Sequence, residues 1–153
     1  MRIVLQRVSR AQVRVEGRVI AQIGRGFLVL LGVGRDDTEA DADFIAARVL
    51  GMRIFADDNQ KMNLALGAVN GEMLVVSQFT LLADTDAGRR PSFTSAAPPE
   101  VARRLYEYFV SRVRAADVKV EQGEFGAMME VELINDGPVT IILDSANMKK
   151  KSG

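Results

Sequence analysis

Two short stretches near the start of the chain, Ile3 to Val8 and Gln12 to Val15, alternate apolar and polar residues. A period of two is the pattern of strands that bury one face. Glu16-Gly17-Arg18 is a turn signal, and Val19 to Ile23 follows as the second arm of a hairpin. After Gly24-Arg25-Gly26 the pattern changes. Phe27-Leu28-Val29-Leu30-Leu31 is apolar at every position, which predicts a strand covered on both faces. The period then lengthens. Asp36-Asp37-Thr38 offers an N-cap, and Glu39 and Asp41 place negative charge in a first helical turn. Phe44, Ile45, Val49 and Met52 recur at helical spacing, with Gly51 near the end.

A short strand at Arg53-Ile54-Phe55 leads into a turn at Asp57-Asp58-Asn59. Met73-Leu74-Val75-Val76 reads as another buried strand and passes directly into Ser77-Gln78-Phe79-Thr80. The stretch from Ala83 to Ala97 is a long loop, of the kind that is either functional or mobile. Pro98-Pro99-Glu100 opens a second helix, with Val101, Leu105, Phe109 and Val113 as its buried stripe. Arg103, Arg104, Glu107 and Arg112 fall on its wet side. Strands are expected again at Val118 to Val120, Met129 to Ile134 and Val139 to Leu143, the last two joined by a hairpin turn at Asn135-Asp136-Gly137-Pro138. The order β-hairpin, β, α, β, β, α, β, β, β predicts one compact α/β domain with two helices covering a curved mixed sheet.

Composition sharpens this picture in three places. At 153 residues the chain can bury roughly 70% of its unfolded surface, so it needs neither disulfide nor metal to hold a core. There is no Cys and no His, which excludes thiolate nucleophiles, cysteine zinc sites and every Ser-His-Asp or Cys-His arrangement. Catalysis here must use carboxylates, Lys, hydroxyls, backbone amides or a group on the substrate. The formal net charge is zero, so no strong nonspecific attraction to nucleic acid is expected. The longest apolar run is far too short for a membrane helix, and Gln6 and Arg7 interrupt any signal-peptide core, so a cytoplasmic location is expected.

Each candidate site has an ordinary reading beside the chemical one. Ser77-Gln78-Phe79-Thr80-Leu81, at a strand end, can present backbone N–H groups and hydroxyls to a developing oxyanion. The same residues can equally satisfy a strand terminus. No G-x-S-x-G frames Ser77, so it is not a nucleophile elbow. Gly137-Pro138 joins a residue that lets other groups approach to one with fixed φ, and the residues alone give no ground for a cis bond. Arg89 and Arg90, beside Pro91 and Phe93, can contact phosphate or simply be solvated. Lys149-Lys150-Lys151 reads as a basic tail. Helix capping and a turn account for Asp36-Asp37 and Asp57-Asp58, so neither a metal nor any other cofactor is expected.

Taken together, these segments resemble the D-aminoacyl-tRNA deacylase family over nearly the whole chain, from Gln6-Arg7-Val8 with Ala11 and Val13 to the last strand. The specific parts are Ser77-Gln78-Phe79-Thr80-Leu81, Gly88-Arg89-Arg90-Pro91-Ser92-Phe93, Phe125-Gly126 and Asn135-Asp136-Gly137-Pro138-Val139-Thr140. The resemblance implies a deacylase domain over residues 1–148 and a basic tail over 149–153. It implies a homodimer with active sites at the subunit interface, and tRNA as partner. Gly137-Pro138 would be a cis pair reaching into the partner's site, with Arg7 fixing it. Ser77, Gln78, Phe79 and Thr80 would form the floor beneath the scissile ester, while Phe125, Gly126 and Met129 wall a pocket for the terminal adenosine. Arg89 and Arg90 would contact the tRNA.

A carbonyl-lined steric filter rejects an L side chain but does not see a missing one, so mischarged glycyl-tRNA is expected as a second substrate. The absence of His fits a substrate-assisted reaction in which the ribose 2′-hydroxyl orients or activates water, with Thr80 auxiliary. Two other functions stay open: an esterase for small acyl substrates, and a noncatalytic RNA-binding module.

Overall fold

A computed structural model describes residues 1–149. Its elements run β1 (Arg2–Val15), β2 (Arg18–Ile23), β3 (Gly26–Gly32), α1 (Glu39–Gly51), β4 (Phe55–Ala56), β5 (Met62–Leu64), β6 (Glu72–Ser77), α2 (Pro99–Arg114), β7 (Val120–Gln122), β8 (Glu130–Asp144) and α3 (Ser145–Lys149). Two single turns of 3-10 helix, Leu66–Val69 and Phe79–Leu82, lie between them. The chain is a single α/β domain built on a mixed sheet, as the periodicities predict. Most of the basic segment 149–153 lies outside the described residues.

β1 organises the sheet. Along one edge it pairs antiparallel with β8 over its full length; along the other, its first half pairs with β3 and its second half with β2. β6 then pairs parallel with β3, and β7 parallel with β6. Each parallel step is bridged by a helix, α1 between β3 and β6 and α2 between β6 and β7, because parallel neighbours require a crossover connection. The sheet curls until β2 lies against β6 and β7, so it approaches a barrel.

The uninterrupted apolar run of β3 now has its reason. Phe27, Val29 and Leu31 face a core shared with Ile45, Val49, Leu105, Phe109 and Val113 of the two helices. Leu28 faces the opposite way, into a smaller core with Val8, Val13, Ile23, Leu74 and Val76, and Leu30 packs against that core. β6 divides likewise, Met73 and Val75 to the helices and Leu74 and Val76 to the inside of the curl.

Several expectations need correction. Asn135-Asp136-Gly137-Pro138 is not a hairpin turn. β8 continues through it as one strand, and both halves pair with β1, the irregularity being absorbed by shifts in register around Val8. Turn propensity is local, whereas pairing on both sides of the motif is decided by β1. Similarly, Ile3 to Val8 and Gln12 to Val15 belong to one strand. On α1 the buried face is Asp41, Ala42, Ile45, Ala46 and Val49. Phe44 is only half-buried and Met52 lies beyond the helix, because small alanines occupy the face turned inward. Thr38 is the N-cap, and its N–H donates to the Asp41 carboxylate at 2.8 Å. Asp37 instead accepts the Gly34 N–H at 2.6 Å and pairs with the buried α-amino group of Met1.

Candidate active site

β6 ends at Ser77, and the chain leaves the sheet and folds at once into the turn Phe79–Leu82. The Gln78 N–H still reaches back to the Leu31 carbonyl of β3, at 2.8 Å. The Leu81 N–H donates to the Gln78 carbonyl at 3.2 Å, and the Ala83 N–H to that of Thr80 at 3.1 Å. A 3-10 turn closes i to i−3, so the N–H groups of Phe79 and Thr80 precede its first internal bond. Neither has an acceptor among the described residues. The Gln78 side-chain amide donates to the Thr80 hydroxyl at 2.6 Å, holding both side chains at the surface.

The turn is seated closely on β3. A Cβ at Gly32 would stand 2.5 Å from Leu82 Cδ2, 3.0 Å from the Gln78 carbonyl oxygen and 3.1 Å from Leu81 Cβ. Only glycine lets the turn approach this near. From the other side, Arg2 donates through Nη1 to the Leu81 carbonyl at 2.8 Å and through Nε to Asp144 at 2.9 Å.

Beside this turn opens a cavity of about 640 Å³. Its volume lies within the range of small-molecule sites, and its walls are mostly apolar. Ser77, Gln78 and Phe79 form one side, and Phe125, Gly126 and Met129 another. Six predicted site residues are therefore brought together. Other walls are not read from the sequence, among them Phe93, Ala96 and Ala97 from the long loop, Pro99 and Ala102 from the first turns of α2, and Met128. Phe79 and Phe93 meet edge to face, ring centroids 5.2 Å apart, while 56% and 38% exposed respectively. Met128 is 91% exposed. Phe125 leans on Tyr106, whose hydroxyl donates to the Val75 carbonyl at 2.8 Å and whose pKa is raised by burial.

Arg7, Gly137 and Pro138 do not line this cavity, nor do Thr80, Arg89 and Arg90. Ser77 is in register with Leu31, and Leu31 with Ile3. Arg7 lies four residues further along β1, roughly 13 Å away, and β8 is three strands across from β6, roughly 14 Å. One chain therefore holds two separate devices.

The second device is rigid. Arg7 donates through Nε to the Asp136 carbonyl at 2.9 Å and through Nη1 to the Ile54 carbonyl. The Asn135 side chain accepts the Val139 N–H at 2.8 Å and donates to the Thr140 hydroxyl at 3.1 Å. The Gly137-Pro138 bond is cis, and both residues are exposed. Gly137 has φ +143°, and a Cβ there would meet the Val139 nitrogen at 2.9 Å and Arg7 Nη2 at 3.2 Å. Arg89 and Arg90 are exposed on the long loop.

Comparisons with known proteins place the chain in a family. The model of the D-Tyr-tRNA(Tyr) deacylase family matches residues 4–144. A D-aminoacyl-tRNA deacylase of Koribacter versatilis is 59% identical over 95% of this chain and 97% of its own. One of Thermosipho africanus is 54% identical over the same shares. Among solved structures, one described as c-Myc DNA unwinding element binding protein superposes with a TM-score of 0.89 at 39% identity, covering 94% of this chain and 98% of its own. The span of the family match and the identity of these relatives establish that the chain belongs to the D-Tyr-tRNA(Tyr) deacylase family.

Proposed function

We propose that this chain, as a D-aminoacyl-tRNA deacylase, hydrolyses the ester joining a D-amino acid to the terminal ribose of tRNA, in two composite sites of a homodimer. Water adds to the ester carbonyl carbon, the C–O bond to the ribose breaks, and the departing oxygen takes a proton, giving free amino acid and tRNA. The observation that carries this reading is a pair of unused backbone donors, Phe79 and Thr80, beside an apolar cavity in a chain with no His or Cys. Preorganised N–H groups of this kind lower the barrier by stabilising the oxyanion. An aminoacyl ester is already activated, so positioning and oxyanion stabilisation suffice, with the substrate 2′-hydroxyl orienting the water. The Phe125, Gly126 and Met129 wall takes the terminal adenosine.

The second copy supplies the chiral filter. In support, Gly137-Pro138 is exposed, braced by Arg7, and too far from Ser77 to serve the same chain's cavity. β8 pairs on one edge only among the described residues and presents Ile134 and Ile142 to solvent, a surface suited to a partner. Backbone carbonyls facing the substrate α-carbon accept its amino group and leave no space for an L side chain. Each tenfold of discrimination needs only ~1.4 kcal/mol, which a modest clash provides. Arg89 and Arg90 contact the acceptor end, residues 1–148 form the catalytic unit, 149–153 add a basic segment, and the enzyme proofreads translation in the cytoplasm.

The deciding experiment is deacylation of matched D-tyrosyl-, L-tyrosyl- and glycyl-tRNA by the purified, metal-free protein. Cleavage of the D- and glycyl esters with the L-ester spared is expected. Equal loss of D and L would indicate a general esterase, and loss of neither a binding module.

A further inference from the structure

We infer that Arg103 holds the phosphate on the 5′ side of the nucleoside that occupies the cavity, an inference that rests on the adenosine-binding reading above. Four arginines project from α2 (Pro99–Arg114), and three of them have oxygen partners within the protein. Arg104 pairs with Glu39 at 3.3 Å, Arg112 with Asp43 at 2.9 Å, and Arg114 donates to the Val120 carbonyl at 3.1 Å. Arg103 has no carboxylate or carbonyl partner among the described residues. Its guanidinium instead lies over the ring of Phe125, 5.1 Å from the centroid.

That placement is specific. Phe125 is a wall of the cavity, and Ala102, the neighbour of Arg103 in sequence, is another. The cation is thus one ring's thickness from the site, exposed, and held by stacking that leaves its N–H edge uncommitted. A nucleoside whose base enters an apolar cavity must leave its 5′ phosphate outside, because a phosphate is too costly to desolvate there. A planar guanidinium at the rim offers two parallel N–H donors to such an anion. The chain carries equal numbers of Lys plus Arg and Asp plus Glu, 20 of each, so no general positive field draws the nucleic acid in. An uncompensated cation beside the cavity then adds to the local attraction.

The test compares 5′-AMP with adenosine as ligands of the wild type, Arg103→Ala and Arg103→Lys, by NMR titration. The wild type should bind 5′-AMP about tenfold more tightly than adenosine. Arg103→Ala should abolish that preference with adenosine affinity unchanged, and Arg103→Lys should keep part of it. On D-tyrosyl-tRNA, Arg103→Ala should raise KM with kcat preserved and lower the salt dependence of kcat/KM by roughly one phosphate contact. A preference for 5′-AMP that survives in Arg103→Ala, or an equal loss of both ligands, would overturn the inference, the latter because Arg103 would then only shape Phe125. Wild type that shows the 5′-AMP preference yet leaves D-tyrosyl-tRNA intact would refute the deacylase reading while sustaining the phosphate contact.

Discussion

At the scale of single residues, the proposed reaction assigns the work of the floor to backbone rather than side chain. The Thr80 hydroxyl accepts the Gln78 amide at 2.6 Å and is exposed, outside the cavity wall. A nucleophilic hydroxyl needs a base beside it, and among the described residues the side chain that meets the Thr80 hydroxyl is the Gln78 amide, which is no base. Thr80→Ala is therefore expected to cost less than about tenfold in kcat on D-tyrosyl-tRNA, against the 10²–10³ typical when an oxyanion donor is removed. A single-turnover assay on the folded variant measures this, and complete loss would make Thr80 the nucleophile. The residue scale also shows what motif reading can reach. Ser77, Gln78 and Phe79, legible as a strand end, and Phe125, Gly126 and Met129, which the family resemblance implies, do converge on one cavity. Phe93 was noted only as the aromatic next to two cations, and its place opposite Phe79 depends on how the long loop folds back.

Among elements, the contact between β3 and the Phe79–Leu82 turn sets the geometry of the donors. Gly32→Ala would force a Cβ to within 2.5 Å of Leu82 and 3.0 Å of the Gln78 carbonyl. The Leu82 methyl can swing aside, but Gln78 and Leu81 must give by a few tenths of an ångström. Since a displacement of about 1 Å in a catalytic group costs on the order of 10²-fold, a loss of roughly tenfold follows. The expected result is a kcat lowered by about that factor with a modest fall in Tm, read by deacylation and thermal unfolding. A second link ties the β2–β3 turn to β6 and to Lys119, just before β7. Glu72 accepts the Gly24 N–H at 3.0 Å and pairs with Lys119 at 2.9 Å. These partners, Lys119 foremost, hold its carboxyl below its ordinary value of 4.5. A depressed folded pKa means stability that is present above the unfolded value and lost as pH falls through the folded one. The Tm gap between wild type and Glu72→Gln should accordingly be open at pH 7 and close as pH drops below about 4.5. A gap that does not narrow at all as the pH falls from about 7 into the acid range would show that the carboxylate charge is not what matters.

For the whole molecule, the decisive fact is that two rigid devices lie far apart on one curled sheet. The cavity stands at the carboxyl end of β6, and Gly137-Pro138 stands on β8 beside Arg7. If each site takes its floor from one copy and its filter from the other, variants damaged in different devices must complement each other. Mixing Gly32→Ala with Gly137→Val after co-refolding gives heterodimers in which one of the two sites is intact. With random pairing about a quarter of all sites are restored. Recovery to about that level in the deacylation assay is expected, and no recovery would place the whole site within one chain.

The division between what the residues dictated and what the fold decided follows from the range of the forces involved. Periodicity reports which face of an element is buried, and that depends on near neighbours in sequence. Hence most strand segments, though not the joining of two into β1 and two into β8 nor the short β5, together with the two long helices and the double-faced β3, are legible, and the absence of His and Cys excludes whole classes of chemistry outright. Asn135-Asp136-Gly137-Pro138 has the composition of a turn and yet does not reverse the chain: it bulges out of β8, because β1 pairs with the chain on both sides of it. Phe44 yielded the buried face of α1 to Ala42 and Ala46, since close packing at that face favours small side chains over a large apolar one. The cavity walls from the long loop and α2, the stacking of Arg103 on Phe125, and the separation of the cavity from Gly137-Pro138 all depend on residues remote in sequence. Such contacts exist only after the sheet has curled and the crossovers have closed, so only the tertiary structure could decide them.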